Sequence, residues 1–72
     1  MKTAITFAKD VLSLSSEKEI RDYVAVHGHE IWQLPATSLL TIQLLCLVET
    51  VDFGGNMATC LTSIRELLIV SN

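Results

Sequence analysis

Apolar residues recur at helical spacing in four stretches of the chain. In the first, Ala4, Ile5, Phe7, Ala8, Val11, Leu12 and Leu14 share one half of a helical wheel, and Thr3, Thr6, Lys9, Asp10 and Ser13 take the other. Ser16 followed by Glu19 is a capping box, which predicts a second, short helix with Ile20, Tyr23, Val24 and His27 on one face. Gly28 is expected to stop it. Pro35 bars any helix from running through Leu34, so the third begins at about Thr37 or Ser38 and runs to about Asp52. Gly54-Gly55-Asn56 reads as a turn with Asn56 as helix cap. The last helix puts Met57, Cys60, Leu61, Ile64, Leu67 and Leu68 on a narrow stripe, opposite Thr59, Thr62, Arg65 and Glu66. Ile69 and Val70 break that pattern.

The third stretch differs from the others. A polar stripe of Ser38, Thr41, Glu49 and Asp52 and a second line of Gln43 and Thr50 divide its apolar residues into two faces. Leu40, Leu44, Leu47, Val48 and Val51 form the larger face, and Leu39, Ile42 and Cys46 the smaller. A helix on the surface of a small bundle needs one apolar face, so the second is either buried in the domain or left for a partner. No strand pattern, linker or repeat interrupts the 72 residues. The expected fold is all-α: one small four-helix bundle spanning 1–72.

Charge narrows the partners. Eight acids against five bases leave a net charge of −3, and no Lys or Arg occurs from Asp22 to Ile64. Nucleic-acid affinity is carried largely by those two residues, so no nucleic-acid partner is expected. The longest apolar run, Leu34 to Val51, is too short and too interrupted by polar residues to span a membrane. Lys9 and Asp10 come too early for a signal peptide. Cys46 and Cys60 fit neither a C-x-x-C nor a zinc pattern, and their apolar neighbours predict a buried, reduced pair in a cytoplasmic protein. His27, His29 and Glu30 have the donor types of a metal site without the spacing of one. No catalytic constellation is present, and so small a domain leaves little room for a substrate pocket. The chain is not expected to be an enzyme.

One run is specific. From Ile31 through Pro35 and Ser38 to Leu44, the sequence Ile-Trp-Gln-Leu-Pro-Ala-Thr-Ser-Leu-Leu-Thr-Ile-Gln-Leu resembles the core motif of acyl and peptidyl carrier proteins, the peptidyl type most closely. Val48-Glu49, Phe53-Gly54 and the run from Thr62 to Leu67 sit near the positions of similar residues in that family. The resemblance implies 4'-phosphopantetheine held covalently on Ser38, with Leu39, Ile42, Gln43 and Cys46 on the recognition face and Thr37 where the family has Asp or His. It also implies a phosphopantetheinyl transferase as partner, followed by acyl- or aminoacyl-loading and downstream biosynthetic enzymes. The motif before the serine is degenerate: Pro35-Ala36 stands where the family has glycine, and the segment from Leu14 to Ser38 is more helical than the family's long loop. Phosphate on Ser38 would meet the free N–H groups and dipole of a helix start. The expectation is a free-standing monomeric carrier. The alternative is a small homodimeric regulator or inhibitor that docks through the second apolar face.

Overall fold

A computed structural model describes residues 2–71, with side chains for 2–70, and shows four helices and no strand among them. They are α1 (Ala4–Leu12), α2 (Glu17–Trp32), α3 (Leu39–Phe53) and α4 (Met57–Ser71). The small all-α four-helix architecture is as the periodicity predicts. Each of the first three starts where a side chain satisfies an orphan N–H. Thr3 caps α1 by accepting from Thr6 N–H, Ser16 caps α2 from Glu19 N–H, and Ser38 caps α3 from Thr41 N–H. Asn56 Oδ1 accepts from Thr59 N–H at 3.1 Å and does the same for α4. In the capping box of α2 the Glu19 carboxylate reaches back to Ser15 N–H at 3.2 Å.

The helix α3 is the centre of the bundle. It touches each of the other three, most extensively α4, while α2 and α4 do not meet among the described residues. The core forms where the stripes converge: Phe7, Ala8 and Val11 of α1, Ile20, Val24 and Ile31 of α2, Leu40, Leu44, Leu47 and Val48 of α3, Met57 and Ile64 of α4. Every inward residue of α3 named from the sequence is buried except Val51, which is half-buried. Gly54 and Gly55 make the α3–α4 turn at φ 94° and 146°, a region that a side chain at either position would strain.

Three expectations fail. The second helix is not short: α2 continues through Gly28 to Trp32. Gly28 is buried, and a Cβ there would lie 3.4 Å from Val48 Cγ1 and 3.6 Å from Val24 Cγ1. Gly28 therefore faces Val48 of α3 from within α2, at a distance that would admit a methyl group, instead of ending the helix, and His27 sits inside α2, not at its end. Thr41 is not part of a solvent-facing stripe but is buried, its hydroxyl 3.1 Å from that of Ser38. Cys46 is exposed and Cys60 is half-buried, the latter 3.4 Å from Thr50 Oγ1, so the two are not a buried pair.

Candidate functional site

The α2–α3 connection ends in a sharp bend. Thr37 N–H donates to Pro35 C=O at 2.8 Å, and Ser38 takes an extended conformation (φ −133°, ψ 156°) before the first turn of α3. Proline forces this break, because it cannot continue a helix and pushes Leu34 toward extended backbone. Ser38 is thereby exposed at the N-terminus of a 15-residue helix, with Thr37 exposed beside it. Its Oγ accepts Thr41 N–H at 3.2 Å and lies 3.1 Å from Thr41 Oγ1. An anion at this position would face first-turn N–H groups that have no intrahelical partner.

Around Ser38 the exposed side of α3 is apolar. Leu39 is 65% exposed and Ile42 41%, with Cys46 exposed one turn further on, while Gln43 is half-buried toward α4. Thus Thr37, Ser38, Leu39, Ile42 and Cys46 form one accessible strip. Gln43 leans away into a shallow cleft shared with Ser63 and Glu66 of α4.

A second feature adjoins the serine. An open cleft of about 710 Å³ lies between the start of α1, the α2–α3 loop, the start of α3 and the end of α4. Ser38, Thr37 and Leu39 lie along it, and Ile42 and Cys46 do not. Its walls include Ile5, Leu34, Pro35, Leu40, Leu67 and Val70. Another cleft, of about 580 Å³, lies at the first turn of α2, between Ser16 and Asn56. Both clefts are open to solvent, because the four helices do not close over either end of the bundle, and neither is an enclosed substrate-burying pocket. The residues that sequence reasoning missed are Leu34, Leu67, Val70 and Ile5. Nothing in their local pattern separates them from ordinary bundle residues, since only the packing brings them together.

A polar network fastens α1 to α2, and one of its members, Lys2, also lines the cleft beside Ser38. Lys2 Nζ and Tyr23 Oη both donate to Asp10 Oδ2 at 2.8 Å. The bond from Lys2, then that from Tyr23, holds the Asp10 carboxyl below the usual carboxylate range. Burial, reinforced by the bond to Asp10, pushes the Tyr23 phenol well above its usual range. The His27 ring packs 4.4 Å from that of Tyr23 and its Nδ1 lies 2.9 Å from Glu30 Oε1, whereas His29 pairs with Gln33 at 3.1 Å. His27 and His29 thus go to separate partners. Among the described residues no three His, Cys, Asp or Glu side chains gather into a group that could hold a metal. Nor is any helix among them long and apolar enough to cross a membrane.

No family model, curated protein or solved structure matches the chain.

Proposed function

We propose that the chain is a carrier protein, modified on Ser38 with 4'-phosphopantetheine, that presents an acyl or aminoacyl thioester to partner biosynthetic enzymes. The reading is supported by one observation above others. Ser38 is an exposed hydroxyl at the start of α3, flanked by the exposed apolar side chains Leu39, Ile42 and Cys46. The residues present suit the group. A phosphodiester on Ser38 would face the N-terminal end of the α3 dipole, and no acidic side chain lines the adjoining cleft to repel it. The arm's thiol supplies the thioester chemistry. The protein's own part is to hold the arm at one place and offer the strip as a docking surface, which raises the effective concentration of the tethered group for an engaged enzyme. The carrier is then a substrate of its partners and not an enzyme, and a cytoplasmic location fits its two reduced thiols.

Intact mass after co-expression with a broad-specificity phosphopantetheinyl transferase tests this. The wild-type protein should gain the arm, and Ser38→Ala should not while keeping its helicity. Thr37→Asp should speed the modification, since the family carries an acid or imidazole at that position. A wild-type chain left unmodified by several transferases sinks the carrier reading.

The second reading is a small regulator or inhibitor that homodimerises or docks through the same exposed strip without modification. The observation favouring it is α2, a 16-residue helix in the segment where carrier proteins have a long loop. Under this reading Ser38→Ala retains full partner binding.

A further inference from the structure

We draw no further inference here: the strongest candidate, the open cleft of about 580 Å³ between the starts of α2 and α4, rests on two helix N-termini above the buried side chains of Ile20 and Met57, and nothing in the structure shows what fills it.

Discussion

The two apolar faces of α3 have nearly the same chemistry and opposite fates. Leu44 and Leu47 are fully buried against the other three helices, whereas Leu39 and Ile42, on the same helix, remain 65% and 41% exposed. Hydropathy does not separate them. What separates them is the number of helices available to cover α3: α1, α2 and α4 close over one side, and no helix is left for the other. On α2 the outer side is mixed: Ile20, Val24 and Ile31 turn inward, while the ion pairs Lys18–Asp22 and Arg21–Glu17 share the outside with the exposed Val26 and Trp32. An apolar strip left facing water, beside an exposed serine at a helix start, is the feature on which the carrier proposal rests.

The sharpest way to break this comparison is to truncate each face in turn. Leu44→Ala or Leu47→Ala should cost about 2–5 kcal/mol, because each leaves a cavity in a closely packed core. Ile42→Ala should cost less than about 1 kcal/mol in denaturant unfolding, since a side chain already partly in water has less burial to lose. Equal losses at Leu44 and Ile42 would mean that the outer face is covered in solution. Repeating the unfolding at several protein concentrations identifies a dimer, whose stability rises with concentration.

The α2–α3 contact at Gly28 should give the next largest effect. Gly28→Leu overpacks the α2–α3 contact at Val48 and should cost about 1–3 kcal/mol. Gly28→Ala places its Cβ at ordinary contact distance from both valines and restores helix propensity, so it should be neutral or stabilising by up to about 1 kcal/mol. A strong loss on Gly28→Ala, read as a lowered denaturation midpoint, would show a tighter contact than the 3.4 Å separation allows.

Smaller effects should come from the α1–α2 network, which holds by polar contacts what α3 holds by apolar ones. Tyr23→Phe removes the bond to Asp10 and should cost about 1 kcal/mol. Asp10 titrates lower in the folded protein than its usual 3.8, so its contribution is complete above that value and lost as pH falls through the folded one. Tyr23 titrates higher than its usual 10.0, so its contribution is complete below pH 10 and lost as pH rises toward the folded value. Unfolding free energies measured from pH 6 down to the acid limit should therefore fall less steeply for Asp10→Asn than for the wild type. Parallel curves would show that the Lys2–Asp10–Tyr23 contacts do not persist in solution.

Much of this protein is determined by its residues taken locally. The 3.6-residue spacing of apolar positions, the caps at Ser16, Ser38 and Asn56, and the break at Pro35 each act through neighbours in the chain, so the four helices and the inward face of α3 follow from them. The same is true of Ser38 at a helix start, because capping is a contact over three residues. Gly28 was misread for a physical reason: glycine at a helix end and glycine under a crossing helix look alike until Val48 is placed against it. Thr41 was misread similarly, since a hydroxyl that finds Ser38 as a partner can be buried where a charge could not. The cleft walled by Ile5, Leu34, Leu67 and Val70 draws on positions from opposite ends of the chain. Only the folded arrangement decides that they share a wall, that no fourth neighbour covers Leu39 and Ile42, and hence where this chain can meet a ligand or a partner.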